Sequence, residues 1–380
     1  MSGHMGQGRS PVYNTRAMQH QNLFVFDIET MLDTDAVPSL TGFDDPDVAA
    51  RRQELERYHL EKTGGKNPFP RQPFQKVVAI SFLEAEIERD GNQEAYLLRE
   101  LRSGGEAGFD EKKLLQGFFG YFERLKPRLV SFNGRGFDLP VLKYRAMVHG
   151  VSVSWLYGAG DKWNSYQSRY STDWHCDLLD VLSDYGASAR VSLHEVSAVL
   201  DLPGKFGISG SQVAGLVDEG RIEDVRHYCE TDVLTTYLVY LRLMVHRGTI
   251  GIDGYNAAIS DIVAMIEQEA GERPYLNDFM EAWGQASGNA FTLWARSLVS
   301  AAVLVFLAFM GDALAGFRRR RWADFLDGGP GKGFQHRLDQ GMAGGLGLRA
   351  PGPLLLLLFQ GWRPGFVGNG HRPGPGRGAV

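Results

Sequence analysis

The chain has 380 residues, a formal net charge of −5 and two cysteines, a length that accommodates one large catalytic domain with additional segments, because domains run about 100–200 residues. The acidic balance excludes a globally basic, histone-like binder, but not an enzyme that needs only a local basic groove. Cys176 and Cys229 lie far apart without a C-x-x-C pattern, which excludes a zinc ribbon or disulfide scaffold and points to a reducing, cytoplasmic setting.

In chain order, residues 1–21 hold no apolar stretch long enough for a signal peptide. Their start, Met1-Ser2-Gly3-His4-Met5, reads as a tag remnant on a disordered leader. Leu23–Ile28 alternates as LFVFDI and predicts a central strand, and Lys76–Leu83 and Ala95–Leu98 predict two more. Between the first two lies an insertion, Met31 to Gln75, with a polar helix (RRQELERYHLEK) and a proline-broken loop (NPFPRQPF). A helix over Glu111–Leu125, a strand over Arg128–Phe132, a helix over Asp138–His149 and a long final helix over Val225–Val245 complete the regular pattern. Strands collected early and helices added later predict an α/β domain over 22–283, its mixed sheet of ribonuclease-H-like type and flanked by helices.

From Gly284 to Val380 the composition changes: Glu, Ile, Tyr and Cys vanish, the only lysine is Lys332, and Gly, Pro, Arg and Leu dominate. The expectation is a low-complexity, frame-shifted or otherwise aberrant extension, largely disordered. The alternatives are an extra helix or partner-binding segment and a membrane anchor over 298–317. There Leu298 to Gly311 is apolar or small and Arg318–Arg321 would suit a cytoplasmic flank, but Asp312 interrupts the run short of the roughly 20 residues a span requires.

Three sets of residues carry chemistry. In the first strand, period two places Phe24, Phe26 and Ile28 on one face and Val25, Asp27 and Glu29 on the other. Two carboxylates at the end of a strongly apolar strand repel and lose hydration unless cations compensate them, so a metal site is the economical reading, although a D-x-E pair on a strand is commonly a solvated edge. SFNGRGFDLP joins a strand end, a glycine-flanked turn and a helix start. Asp138 there has the ordinary reading of a helix N-cap, while the glycines would let a phosphate or base approach the backbone and Asn133 would fix the turn. In RHYCETDV, Tyr228 and Asp232 are four apart and share a helix face; singly, each reads as an ordinary packing or solvent-facing residue.

Together FDIET, SFNGRGFD and YCETD resemble, in order and spacing, the three exonuclease motifs of the DEDD superfamily. More closely, the chain resembles the stand-alone 3′–5′ exonucleases related to the proofreading domain of family B DNA polymerases. The resemblance runs from Asn22 to Trp283 and takes in KVVAIS, HCDLLDVLSDYGA and LDLPGKFGISGSQV. It implies two Mg²⁺ or Mn²⁺ ions, in keeping with hard oxygen ligands and the lack of a Cys/His cluster. It further implies that Asp27 bridges both ions, Glu29 and Asp232 complete the water-activating site, Asp138 holds the second ion, and Tyr228 orients the attacking water. The last motif fits both Y-x3-D and H-x4-D. Tyr228 is preferred, because a regular helix turns His227 about 140° away from Asp232.

Substrate contacts are expected from Asn133 and Phe137, and from Lys205 in PGKFG, where the ordinary alternative is a solvated lysine. Trp155, Tyr157, Trp163, Tyr166 and Tyr170 interleave with Lys162 and Arg169, which suits stacking on unpaired bases or packing under a long loop. Asp177 and Asp180 are expected to cap or stabilise a helix. The resemblance implies 3′ ends of single-stranded nucleic acid as substrate, DNA over RNA, and nucleoside 5′-monophosphates as product. The rivals are a catalytically silent nucleic-acid-binding scaffold and a nuclease tethered to a membrane.

Overall fold

The computed structural model describes residues 20–293 except 107, 109, 205 and 206. Its strands and α-helices, in chain order, are β1 (Asn22–Leu32), α1 (Val37–Thr41), α2 (Val48–Lys62), β2 (Gln75–Asp90), β3 (Gln93–Gly104), α3 (Glu111–Leu125), β4 (Arg128–Ser131), α4 (Asp138–Val148), α5 (Ser154–Gly158) and β5 (His175–Asp177). Then come α6 (Leu178–Leu182), α7 (Leu193–Val199), α8 (Val213–Asp218), α9 (Ile222–His246), α10 (Ile252–Glu269) and α11 (Tyr275–Ser287). The strands form one mixed sheet in the order β3-β2-β1-β4-β5, antiparallel from β3 to β1 and parallel from β1 to β5. This is the expected α/β architecture.

The alternation in β1 works as two hydrophobic faces. Leu23 and Val25 join a core with Leu83, Ala85 and the apolar residues of α9, α10 and α11. Phe24, Phe26 and Ile28 join the opposite core with α3 and α4, where the Phe24 ring stacks on Phe82 at 4.6 Å and meets Phe122 edge-on at 4.8 Å. A central strand buried on both sides must be apolar in nearly every position, so Asp27 and Glu29 are conspicuous in it.

Several elements depart from the sequence expectation. Strands β2 and β3 run well past their apolar stretches, because Ala85 and Ile87 keep one face buried while the solvent side is polar and a turn at Gly91 (φ +59°) pairs the two strands to their ends. The helix over 222–246 is not final: α10 packs on β3, α11 follows, and Phe291 lies 4.8 Å from Trp283. The three-residue strand β5 is too short to announce itself.

Helix α4 is tied down by a buried cation. Arg145 pairs with Asp33 after β1 (2.5 Å) and with Glu111 at the head of α3 (2.6 Å), and Glu111 also accepts from the Val77 N–H of β2 (2.8 Å). Among the described residues, no helix is long and apolar enough to cross a membrane. The 298–317 stretch and nearly all of the expected 284–380 extension lie outside the described residues, as does Lys205.

Candidate active site

Strand β1 pairs with β4 only through Leu23–Val25. Past Val25 it has no strand neighbour on that side, and its backbone groups there need other partners. The Ile28 N–H finds one in Asp138, donating to Oδ1 at 3.3 Å across 110 positions of sequence. Ile28 sits between Asp27 and Glu29, so this bond sets the Asp138 carboxylate beside the D-x-E pair. On the other side of β1, the register with β2 shifts between Glu29 and Thr30, a bulge of the kind that re-aims side chains near functional sites.

The loop ahead of α4 is built to hold Asp138 there. Asn133 adopts a left-handed conformation (φ +68°), and its carbonyl accepts from the N–H groups of Gly136 and Phe137, both at 2.9 Å. Asp177, at the end of β5, accepts from the N–H groups of Asn133 (3.0 Å) and Arg135 (2.8 Å) while capping α6 through Leu179 and Asp180. The expected capping role of Asp177 is therefore present, together with a clamp on the Asn133–Arg135 turn that sequence reasoning missed. Asp180 is held by Arg169 (2.7 Å) and Arg190 (3.3 Å). Phe137, not Asp138, occupies the N-cap position of α4; Asp138 is the first helical residue and directs its carboxylate back to β1.

The two glycines of this turn have an internal use in its packing. A Cβ on Gly134 would stand 2.4 Å from Ser131 Oγ and 3.5 Å from Asp138 Oδ2, and one on Gly136 would stand 2.4 Å from Asn133 Oδ1. Gly134→Ala should therefore displace the end of β4 and Asp138 together. The expected loss is about 1–3 kcal/mol of stability, as for other overpacked sites, read as a lower melting temperature with reduced turnover.

From the opposite wall comes α9, buried almost continuously from Tyr228 to Leu241. Asp232 and Asp27 line one open cleft of ≈ 430 Å³, together with Asn133, Arg190, Ser192 and Thr236. Thr236 follows Asp232 by one helical turn, so its position was legible in the sequence. Arg190 gave no signal there. Oxygens of Asp27 and Glu29 and the sulfur of Cys229 lie within 4.8 Å of one another, with Cys229 Sγ 3.8 Å from Asp27 Oδ2. Burial and the neighbouring carboxylates push the Cys229 thiol well up, so it stays protonated beside them.

Glu29, Asp138 and Asp232 are buried and Asp27 is half-buried. Burial pushes the Asp138 carboxyl up to about 7, with a further upward contribution from Asp177. Asp27 and Glu29 thus share one cluster on β1, Asp138 is bound to the backbone between them, and Asp232 lines the same cleft as Asp27. Buried carboxylates in one place suit a hard divalent cation such as Mg²⁺ or Mn²⁺, which accepts oxygen ligands and offsets their mutual repulsion.

The remaining sequence candidates separate clearly. Tyr228 is buried against Ala79, Val213, Leu216 and Val225, and Ala79 is the residue paired with Glu29. His227 stacks on Tyr275 at 4.2 Å and lines a different cavity with Arg226, Glu230 and Arg273. Phe137 is half-buried, its ring 6.1 Å from Phe69 of the 31–75 insertion, and Gln72 of the same insertion donates to the Gly136 carbonyl at 2.8 Å.

Compared with known proteins, residues 67–283 match a family described as a predicted 3′-5′ exonuclease related to the exonuclease domain of PolB. The chain is 30% identical over 149 residues to the DNA polymerase epsilon catalytic subunit of Kluyveromyces lactis, covering 35% of this chain and 6% of that one. It is 25% identical over 223 residues to the corresponding polymerase epsilon protein of Candida glabrata, covering 54% of this chain and 10% of that one. The chain thus spans a tenth or less of these relatives. Asp138, Tyr228 and Asp232 fall inside the family match; Asp27 and Glu29 precede it, and β1–β2 pairing brings them to it.

Proposed function

The chain belongs to the family of predicted 3′-5′ exonucleases related to the exonuclease domain of PolB, and from that premise we propose that it removes nucleoside 5′-monophosphates from the 3′ ends of single-stranded nucleic acid, DNA in preference to RNA. The observations that support this reading are the Asp27–Glu29 pair in one cluster on β1, the Asp138 carboxylate bound to Ile28 between them, and Asp232 lining the same open cleft as Asp27. Two Mg²⁺ or Mn²⁺ ions held by these carboxylates would supply an activated water and a counter-charge for the leaving oxygen.

The residues of the chain do the rest. Asp27 and Glu29, on adjacent same-face positions of β1, and Asp232, on α9, define where the terminal phosphate must sit. Asp138 closes the cluster from α4. Tyr228 orients the attacking water by a hydrogen bond, while Asn133 and Phe137 hold the terminal nucleotide against the cleft. Water adds to phosphorus, the bond to the 3′-oxygen of the preceding nucleotide breaks, and that oxygen takes a proton to become the new 3′-hydroxyl. A cytoplasmic setting is part of the reading, supported by two buried free cysteines.

The test is digestion of a 5′-labelled single-stranded DNA, and of its RNA counterpart, with Mg²⁺, Mn²⁺ or EDTA. A metal-dependent ladder shortening from the 3′ end is expected, faster on DNA. Folded protein that cleaves neither polymer under any metal overturns the proposal in favour of a silent binding scaffold. Within the site, Tyr228→Phe should slow turnover by about 100-fold or more, in the range of a lost positioning or acid–base contact. His227→Ala, on its separate stack with Tyr275, should stay near wild type in the same assay.

A further inference from the structure

The aromatic segment 155–170 divides into two groups in the structure. Tyr166 is buried and Trp155 half-buried, and their rings pack together at 6.0 Å as part of the core over α3. Tyr157, Trp163 and Tyr170 are exposed by 60%, 74% and 71%. Of these, Tyr170 is linked to the candidate active-site cleft through a continuous set of contacts.

Arg190 lines the cleft with Asp27 and Asp232. It shares Asp180 with Arg169, whose guanidinium binds that carboxylate at 2.9 and 2.7 Å and also lies 5.9 Å from the centre of the Tyr185 ring. Tyr185 in turn meets Tyr170 edge-on at 4.6 Å. The backbone that presents Tyr185 is strained: Asp184 (φ +48°) and Tyr185 (φ +57°) are consecutive non-glycine residues in the left-handed region, followed by Gly186 at φ +96°. Such strain concentrates at functional positions, because the surrounding structure must maintain it. Arg247, exposed and bonded to Thr172 Oγ1 at 3.2 Å, adds a further positive charge that acts on Tyr185.

Resting on the nuclease reading above, we propose that Tyr170, Tyr185 and Arg169 form a binding site for the nucleotides 5′ of the bond being cut, engaging a single strand as it leaves the cleft past Arg190. The chemistry selects this occupant. Tyrosine faces stack on unpaired bases of any sequence, and guanidiniums contact the phosphates between them. Asp180 and Asp184 offset most of the charge of the three arginines, so stacking rather than net charge supplies the affinity. Paired bases already stacked in a duplex offer no free face to these rings, so the site favours single strands.

The experiment uses a 5′-fluorescein oligo(dT) of about 12 nucleotides and thymidine 5′-p-nitrophenyl phosphate, a substrate with no upstream nucleotide. Binding of the oligomer is followed by fluorescence anisotropy in EDTA, and hydrolysis of both substrates is followed with Mn²⁺. Tyr170→Ala and Arg169→Gln should weaken binding of the oligomer and raise its KM, by about tenfold or more for Tyr170→Ala. The oligomer kcat and turnover of the ester should not change, and Tyr170→Phe should restore the wild-type KM. Absence of wild-type binding to the oligomer, wild-type affinity in Tyr170→Ala, or equal loss on oligomer and ester overturns the proposal. If the wild type hydrolyses neither substrate, the nuclease reading fails, and anisotropy still decides this one.

Discussion

Asp27→Ala is expected to lower hydrolysis of a labelled single strand by about a thousandfold or more, the upper end of what one electrostatic group in a preorganised site contributes. Asp27 is the residue that the other candidates share. It lies with Glu29 and Cys229 inside one 4.8 Å cluster, and it lines the cleft with Asp232. It is half-buried at a position where β1 has already lost its β4 neighbour, so truncation should leave the two cores on either side of the sheet intact. An unchanged circular-dichroism spectrum and melting temperature, with the ladder gone, is the expected pair of results. Activity within tenfold of wild type would remove Asp27 from the reaction and with it the proposed arrangement of ligands.

Asp138→Asn should have opposite effects on catalysis and on stability. Burial holds the Asp138 carboxyl above its ordinary range, so folding takes up a proton between about pH 4 and pH 7. The sign follows from linkage. A carboxyl raised in the folded state costs nothing below the unfolded value, costs progressively more as pH rises, and costs most once the folded group has ionised. In EDTA the wild type should therefore melt at a lower temperature at pH 8 than at pH 5. Asparagine keeps an Oδ1 acceptor for the Ile28 N–H and carries no charge, so Asp138→Asn should flatten that pH dependence and melt higher than wild type at pH 8. The same variant should lose most of its Mg²⁺- or Mn²⁺-dependent cleavage and most of the thermal stabilisation those ions give. A variant that melts lower than wild type at pH 8 in EDTA would show that the Asp138 charge is compensated within the protein.

The sequence by itself determined what depends on neighbours a few positions apart. The alternation of LFVFDIE placed Asp27 and Glu29 on one side of a strand with two apolar faces, helix spacing put Tyr228 and Asp232 on one side of α9, and the apolar pattern gave the bounds of α3. The order of FDIET, SFNGRGFD and YCETD supplied the family. What lay beyond its reach depends on partners brought together over long separations. The bond from Ile28 to Asp138, the clamp of Asp177 on the Asn133–Arg135 turn, and the entry of Arg190 into the cleft exist only because β1, β4 and β5 take one particular register. The packing use of the glycines of SFNGRGFD was out of reach for the same reason: only the closed turn brings Ser131 and Asn133 within reach of a Cβ. Local periodicity fixes which face of an element a residue occupies, and tertiary packing decides what that face meets. The place of each carboxylate on its own element was therefore legible before folding, while the groups that hold and aim them were not.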